Sequence, residues 1–316
     1  TPSLNQGVFI EETISSVLNQ TYPHIEYIIL DAGSTDATQS ILEKYHSRIA
    51  HVICEPDGGQ ADAINRGFSL ATGEIIAWLN ADDVLLPEAV AQVVRYFQNT
   101  TDTHFVYGDA IAMNAGGRQF GRRVNVASCD HHALVNIGDF IVQPAAFWRR
   151  SVIDHVGVLD DSLNYTLDYE FWMRVSGTFQ MDYLPFPLAL ERLYGGTKTS
   201  IGGLERIEEL ALIAQQHGGV DVPIMFCPEA AATYMREALV CLFDGNRDEA
   251  TQYYRRARDL NNNTIKFLMH FMVLLVWGGR GTMRLRLWSN LIRNYIITAP
   301  DRTSIDTFVD VKQPVP

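Results

Sequence analysis

The first two-thirds of the chain alternates between helical and strand-like spacing of apolar residues. Ile10, Ile14 and Val17 recur at helical spacing, whereas residues 25–30 form a short β-rich run. The alternation continues with a strand over 50–54, a helix over 60–70 and a nearly continuous apolar strand over 74–79. Strands separated by helices in this way predict an α/β fold, with a mostly parallel sheet flanked by helices.

The two ends of the chain depart from this alternation. Thr1-Pro2-Ser3 reads as a loop, and we therefore expect that a strand is missing upstream. From about residue 202 the pattern becomes helical throughout, which predicts an appendage beyond the α/β domain of residues 1–200. Helices of this 201–316 region are predicted at 204–216, 229–243, 248–260, 264–277 and 283–297.

Polar residues follow three of the predicted strands at the points where those strands end. The clusters occupy residues 31–36, 57–62 and 80–83. In open α/β sheets, ligands bind beyond the carboxyl ends of the strands. The sequence therefore predicts one binding site at this edge of the sheet.

The adjacent pair Asp82-Asp83 in the third cluster admits two interpretations. Neighbouring carboxylates repel one another, and Mg²⁺ or Mn²⁺ commonly links such groups to the phosphates of a substrate. The alternative is that they cap the helix that begins near Pro87, where acidic residues are favoured. The other two clusters at the same edge favour metal binding.

Composition narrows the classes of partner and compartment. The formal net charge of -12 argues against a nucleic-acid-binding protein, but a divalent cation can still bring an anionic nucleotide to a carboxylate-rich pocket. The four cysteines lie far apart without a CxxC pair, which favours reduced, buried thiols in a cytoplasmic protein. The longest apolar stretch, residues 267–277, is shorter than the roughly 20 residues of a spanning helix.

Several motifs occur in a fixed order over about residues 1–200. They are Thr-Pro-Ser-Leu-Asn-Gln at 1–6, Ser-Val-Leu-Asn-Gln-Thr-Tyr at 16–22, Asp-Ala-Gly-Ser-Thr-Asp at 31–36, Glu-Pro-Asp-Gly-Gly-Gln at 55–60, Ala-Thr-Gly-Glu at 71–74, Trp-Leu-Asn-Ala-Asp-Asp at 78–83, Gln-Pro at 143–144, Phe-Trp-Arg-Arg at 147–150 and Asp-Tyr-Glu-Phe-Trp-Met-Arg at 168–174. In this order they resemble glycosyltransferase family 2, whose members have the GT-A, Rossmann-like fold.

The resemblance implies a nucleotide-sugar donor, with a UDP-sugar expected, and a Mn²⁺ or Mg²⁺ ion. It implies that Asp83 coordinates the metal at the diphosphate and that Asp82 contacts the metal or the ribose. The residues that it assigns to nucleotide-sugar binding are Asp31, Ser34, Asp57, Gln60, Asp62, Asn80 and Asp82.

The resemblance also assigns Asp168 as the catalytic base of an inverting transfer. Such a base accepts the proton of the acceptor hydroxyl as that oxygen attacks the anomeric carbon. The alternative is that Asp168 only caps the helix that carries Phe171 and Trp172, and the two roles are compatible. Trp148 and Trp172 are expected in the core rather than as sugar platforms.

Two positions depart from the family pattern. Ala32 stands where many relatives carry a second Asp that contacts uracil, which leaves the identity of the base open. Tyr194 stands where many relatives carry a metal-ligating His. We therefore expect weaker dependence on added metal than in relatives that have the His.

Other functional classes fit less well. The sequence has neither the GxGxxG of a dinucleotide oxidoreductase nor the GxxxxGK[ST] of a P-loop NTPase, and it lacks the Gly- and Arg-rich first loop of a sugar nucleotidyltransferase. A catalytically inactive nucleotide-sugar or glycan-binding relative remains as the alternative.

The family's common setting supplies the remaining expectations. They are a glycan or lipid-linked acceptor, a role in cell-surface polysaccharide biosynthesis, and a cytoplasmic location. An apolar stretch followed by arginines in residues 264–297 admits either peripheral contact with the membrane or burial under neighbouring helices.

Overall fold

A computed structural model describes residues 1–123 and 130–260. The strands are β1 Pro2–Ser3, β2 Ile28–Asp31, β3 His51–Cys54, β4 Ile75–Ile76, β5 Val84–Leu85, β6 Phe105–Met113, β7 Gln119–Arg123, β8 Ala146–Arg149 and β9 Met181–Arg192. The α-helices are α1 Ile10–Leu18, α2 Thr38–Tyr45, α3 Gln60–Leu70, α4 Ala89–Asn99, α5 His131–Asn136, α6 Arg150–Val156, α7 Leu167–Ser176, α8 Lys198–Ile201, α9 Gly203–Gln216, α10 Cys227–Phe243 and α11 Arg247–Leu260. Short 3₁₀ helices cover His46–Arg48, Gln143–Ala145 and Ile224–Phe226.

The strands form two sheets, and only the smaller one is parallel throughout. It has the order β1-β2-β3, with Ser3 paired to Asp31 and Asp31 to Cys54. The larger sheet has the order β4-β8-β6-β9-β5, with β7 paired to β6, and in it only β6 and β9 run parallel. The α/β class is therefore confirmed, but parallel pairing is less extensive than predicted. One reason is that the tight turn between β6 and β7 needs no crossover helix.

The prediction that the first residues form a loop is wrong. Pro2 and Ser3 pair with β2, and the carbonyl of Thr1 accepts a hydrogen bond from the Leu30 amide at 3.0 Å. The structure contains no residues before Thr1 that would test the expected upstream strand, so that strand stays a prediction.

A cavity of about 790 Å³ lies between the two sheets. Its lining is largely apolar and includes Ile28 and Leu30 on one side and Ile76 and Trp78 on the other. The strand predicted over 74–79 is reduced to β4, and residues 77–79 border this cavity instead of pairing with a neighbouring strand.

An aromatic cluster joins the larger sheet to α7. Trp148 and Trp172 are fully buried, as the sequence predicted. Trp78, two residues before Asn80, stacks on Trp172 with ring centroids 5.5 Å apart and an interplanar angle of 13°. This contact holds the segment that leads to Asp82-Asp83 against the helix that carries Asp168.

The helical region packs against the α/β part through a shared core. Ile207 of α9 and Tyr234 of α10 belong to the same buried cluster as Trp148. The helices predicted at 204–216, 229–243 and 248–260 are present with small shifts of their first residues. The helices predicted at 264–277 and 283–297 lie outside the described residues, and the boundary at residue 200 stays a prediction.

Two further expectations concern thiols and membrane spans. Cys54 is exposed at the end of β3, and Cys227 and Cys241 are partly exposed, so the prediction of buried thiols is wrong for these residues. Cys54 is exposed because β3 is the edge strand of its sheet. Among the helices of residues 1–123 and 130–260, none has the length and apolar character needed to cross a membrane.

Candidate active site

The second and third polar clusters meet through side-chain hydrogen bonds. The Gln60 amide nitrogen donates to Asn80 Oδ1 at 2.9 Å. Asn80 Nδ2 donates to Gln143 Oε1 at 3.0 Å and, more weakly, lies 3.5 Å from Asp83 Oδ2. Gln143 in turn donates to the carbonyl of Trp78 at 2.9 Å. Three segments that are far apart in sequence therefore form one polar surface.

The first cluster is a closed hydrogen-bonded loop at the end of β2. Asp31 and Ser34 are buried, and both oxygens of the Asp31 carboxylate accept from Ser34, from its amide at 2.8 Å and its hydroxyl at 2.5 Å. Ser34 Oγ also accepts from the Asn5 amide at 2.7 Å. Asp31 and Ser34 therefore fix the loop, and direct contact with a base or ribose stays a prediction.

The second cluster shapes the glycine turn that leads into α3. Asp57 accepts from the Gly59 amide, and Asp62 accepts from the Gly58 amide, both at 2.9 Å. Gly59 has a φ of 118°, which a residue with a side chain rarely adopts. The two carboxylates thus hold the turn in place, and their contact with a nucleotide also stays a prediction.

The third cluster places two poorly solvated carboxylates side by side. Asp83 is 5% exposed, and its pKa is raised well above 3.8, first by burial and then by the charges of Asp82 and Glu191. Burial also raises the pKa of Asp82, although Tyr194 opposes this shift by donating its hydroxyl to Asp82 Oδ2 at 3.1 Å. Asp83 Oδ1 accepts from a neutral donor, the Arg192 amide, at 2.8 Å.

The oxygen atoms of Asp82 and Asp83 fit a divalent cation that also binds phosphate oxygens. The Arg192 guanidinium donates to Glu12 and to the carbonyls of Asp82, Asn114 and Ala115. A second cation would relieve the repulsion between the two carboxylates, and their oxygens are ligands that suit Mg²⁺ and Mn²⁺. In the part of the chain that the structure describes, no group of three or more His, Cys, Asp or Glu side chains could hold a metal ion. Phosphate or water oxygens would have to complete the coordination.

Asp168 lies in the first turn of α7. Its residue surface is partly exposed, yet its carboxyl is densely surrounded by protein, and this burial raises its pKa. The charge of Arg206 lowers the pKa of Asp168, and that of Glu191 raises it. The N-cap residue of α7 is Thr166, so Asp168 is not the cap. Its Oδ1 accepts from the neighbouring Tyr169 amide at 2.8 Å.

Sequence reasoning did not single out Glu191 or Arg192. Glu191 is close enough to raise the pKa of both Asp83 and Asp168, so it connects the metal-binding candidates to the base candidate. Arg192, at the end of β9, is 3% exposed; its amide donates to the Asp83 carboxylate and its guanidinium to the Asp82 carbonyl. The sequence signal for these two residues was an acidic and a basic side chain at the end of an apolar run. Only the pairing of β9 with β5 reveals where they lie.

Comparisons with known proteins identify the family and the fold. Residues 1–156 match the model of the family described as glycosyl transferase family 2. A protein of Rickettsia prowazekii, named only as an uncharacterized glycosyltransferase, is 25% identical over 227 residues, which cover 66% of this chain and 68% of that protein. A PGL/p-HBAD biosynthesis glycosyltransferase of Mycobacterium bovis is 26% identical over 217 residues, covering 67% and 82%.

Solved structures resemble this chain in fold. Residues 1–349 of TarS from S. aureus, in complex with UDP-GlcNAc, align with a TM-score of 0.58 and 15% identity, covering 82% of this chain and 89% of that one. A mannosyltransferase from Pyrobaculum calidifontis, in complex with GDP-Man and Mn²⁺, aligns with a TM-score of 0.53 and 17% identity, covering 94% and 83%. The motifs, the fold and the family match agree: residues 1–156 belong to glycosyl transferase family 2, a family of enzymes, and the chain has the GT-A fold of its structural neighbours.

Proposed function

We propose that the protein transfers a sugar from a nucleotide-diphosphate sugar to a glycan or lipid-linked acceptor, with inversion at the anomeric carbon. The observation that carries the proposal is the stacking of Trp78 on Trp172, with ring centroids 5.5 Å apart, which holds the segment that leads to Asp82-Asp83 against the helix that carries Asp168. Metal-binding carboxylates and a separate carboxylate base are the two acidic functions that this reaction needs.

The donor side of the proposed site is formed by the three polar clusters. Asp31, Ser34, Asp57, Gln60, Asp62, Asn80 and Asp82 are the proposed nucleotide-sugar-binding residues. Support for a nucleotide-sugar comes from the UDP-GlcNAc and GDP-Man complexes of the structural neighbours. We propose a UDP-sugar, although Ala32 lacks the carboxylate that contacts uracil in many relatives.

Asp83 and Asp82 would hold a Mn²⁺ or Mg²⁺ ion together with the donor diphosphate. Mn²⁺ in the mannosyltransferase complex supports this assignment. When bound, the ion offsets the negative charge that develops on the departing nucleoside diphosphate. In the DXD-like segment at 80–83, the Arg192 amide holds the Asp83 carboxylate and the Tyr194 hydroxyl holds the Asp82 carboxylate before the ligand arrives.

Asp168 would accept the proton of the acceptor hydroxyl. As the acceptor oxygen bonds to the anomeric carbon, the bond from that carbon to the diphosphate oxygen breaks, and the proton moves to the Asp168 carboxylate. Its raised pKa increases its affinity for that proton relative to an ordinary aspartate. A single displacement of this kind inverts the anomeric configuration.

We further propose a role in cell-surface polysaccharide assembly at the cytoplasmic side of the membrane. The name of the M. bovis relative supports a biosynthetic role. Peripheral membrane contact through residues 264–297 concerns a segment outside the described residues, and it stays a sequence-based proposal.

The direct test measures nucleotide released from a panel of nucleotide sugars with Mn²⁺, with and without oligosaccharide acceptors. We expect release from one donor, a loss of at least about 100-fold in Asp83→Asn, and loss with EDTA. Asp161→Asn, at an exposed position, is the matched control and should retain full activity. The anomeric configuration of the product, determined by NMR, tests inversion.

The inactive binding relative predicts a different result. It would show saturable binding of a nucleotide sugar but no turnover with any acceptor, and Asp168→Asn would leave that binding unchanged. Retention of configuration in an active enzyme would contradict the assignment of Asp168 as the base of a single displacement.

A further inference from the structure

We propose that Glu209 of α9 is a positioning residue for Asp168. Its carboxylate accepts four hydrogen bonds from the loop immediately before α7. Three come from consecutive backbone amides, Asn164 at 2.9 Å, Tyr165 at 2.7 Å and Thr166 at 2.7 Å, and the fourth from the Thr166 hydroxyl at 2.6 Å. The inference rests on the proposed role of Asp168 as base.

These contacts fix the residues that lead into α7, including its N-cap residue Thr166. The first amides of a helix have no partner inside the helix, and the Thr166 side chain makes no capping hydrogen bond to α7. A carboxylate from another helix takes up the amides that lead into the first turn, where negative charge is also favoured by the helix dipole. Hydrogen bonds to an ionised acceptor are about twice as strong as neutral ones. Glu209 therefore fixes the start of α7, two residues before Asp168.

The same loop is held from a second side. Lys198 Nζ, at the first residue of α8, donates to both the carbonyl and the side-chain oxygen of Asn164, each at 3.0 Å. The Tyr165 hydroxyl donates to Glu205 of α9 at 3.1 Å. Gly202 allows this close packing, since a Cβ at that position would lie 2.9 Å from the Tyr165 ring.

This arrangement gives the helical region a part in the reaction. Lys198 and Glu209 both lie beyond the matched residues 1–156, on the segment that continues from β9 and Tyr194. A base works only within hydrogen-bond reach of the acceptor hydroxyl, and a displacement of about 1 Å costs roughly 100-fold in rate. The donor residues lie on other segments, so loosening this loop should slow turnover without weakening donor binding.

The test compares wild type with Glu209→Gln, Glu209→Asp and Glu208→Gln. In Glu209→Gln an NH2 group that cannot accept a hydrogen bond replaces one carboxylate oxygen, and the remaining oxygen is no longer part of a charged group. We therefore expect kcat to fall at least tenfold with an unchanged KM for the donor. Glu209→Asp keeps the charge and should recover part of kcat. Glu208→Gln changes an exposed neighbour on the same helix and should match wild type.

A second measurement is independent of catalysis. Hydrogen exchange of the amides at 164–166 should speed up at least tenfold in Glu209→Gln and stay at the wild-type rate in Glu208→Gln. Unchanged exchange, unchanged kcat, or a rise in donor KM that accounts for the loss of activity would each overturn the proposal. Failure of the proposed function has a distinct signature, because wild type itself would then release no nucleotide, or Asp168→Asn would remain fully active.

Discussion

The rings of Trp78 and Trp172 stack face to face with their centroids 5.5 Å apart. This contact brings together the segment of the metal-binding candidates and the helix of the base candidate. Trp78 lies four residues before Asp82, and Trp172 lies four residues after Asp168. Both rings also contact Trp148 of β8, with centroid distances of 5.5 and 5.8 Å. The spacing between the metal-binding candidates and the base candidate is therefore set by a rigid apolar core rather than by flexible loops.

We expect Trp172→Ala to lower the free energy of unfolding by about 3–5 kcal/mol, because it removes a fully buried ring and leaves a cavity. Urea unfolding followed by circular dichroism measures this change. Phe243→Ala, at a position that is 44% exposed, is the control and should change stability by less than about 1 kcal/mol. Equal losses in the two variants would contradict the role of the cluster.

The raised pKa of Asp168 predicts a pH dependence of stability. The Asp168 carboxyl binds its proton more tightly in the folded protein than in the unfolded chain, where its pKa is near 3.8. The resulting stabilisation of the folded state is therefore fully present below pH 3.8. It is lost as the pH rises through the folded-state pKa. We therefore expect Asp168→Asn, which cannot ionise, to be more stable than wild type at pH 7.

The measurement for this prediction is urea unfolding of both proteins in EDTA between pH 3.5 and 8. The difference in stability between Asp168→Asn and wild type should grow with pH and should be smallest at the acidic end. The exposed control Asp161→Asn should show no such trend. A difference that is independent of pH would mean that the pKa of Asp168 is not raised in the folded protein.

Tyr194 predicts how metal affinity responds to a single substitution. Its hydroxyl donates to Asp82, whereas a histidine there would offer a ring nitrogen that can bind a metal. We expect Tyr194→His to tighten Mn²⁺ binding by about tenfold, because substitutions at or next to metal ligands typically change metal affinity by about that factor or more. Tyr194→Phe separates loss of the hydroxyl from gain of the imidazole and should not tighten binding. Electron paramagnetic resonance titration with a nucleoside diphosphate present measures the affinity, and equal values for wild type and Tyr194→His would refute the prediction.

The cavity between the sheets predicts the effect of an added strand. The Thr1 amino group donates to the Ile28 carbonyl at 2.8 Å, so chain added before Thr1 can continue the pairing with β2. We expect a five-residue extension of alternating apolar residues to raise the Tm by about 3 °C or more, equivalent to about 1 kcal/mol.

Two extensions of equal length serve as controls for this effect. A Gly-Ser extension has no apolar side chains to bury in the cavity, and an apolar one with a central proline loses a backbone donor. Both should leave the Tm lower than the alternating sequence does. If all three extensions give the same Tm, the cavity does not accept a strand.

Local patterns in the sequence were sufficient to predict most helices and several strands of the fold. Helix α3 has the predicted bounds, 60–70, and α9 to α11 follow their apolar periodicity closely. The ordered motifs, including those at 31–36 and 78–83, were sufficient to identify the family. Periodicity and motif chemistry are properties of neighbouring residues, and therefore they can be read from one chain.

Sheet pairing and the surroundings of the site were decided by tertiary structure. The pattern of 74–79 predicted a full strand, but a strand needs a partner, and residues 77–79 face a cavity instead. The role of Asp31 in nucleotide binding stays a prediction, and only the structure reveals that its carboxylate accepts hydrogen bonds from Ser34. Glu209 and Asp168 lie 41 positions apart, and no pattern in the sequence links them.

The sequence by itself thus determined the α/β class, most helices, the family and the acidic residues available for chemistry. Tertiary structure alone decided that Glu191 lies near both Asp83 and Asp168, and that Glu209 holds the loop before α7. The physical reason is that hydrogen bonds, burial and charge interactions depend on distance in space. Chain folding sets that distance independently of separation in sequence.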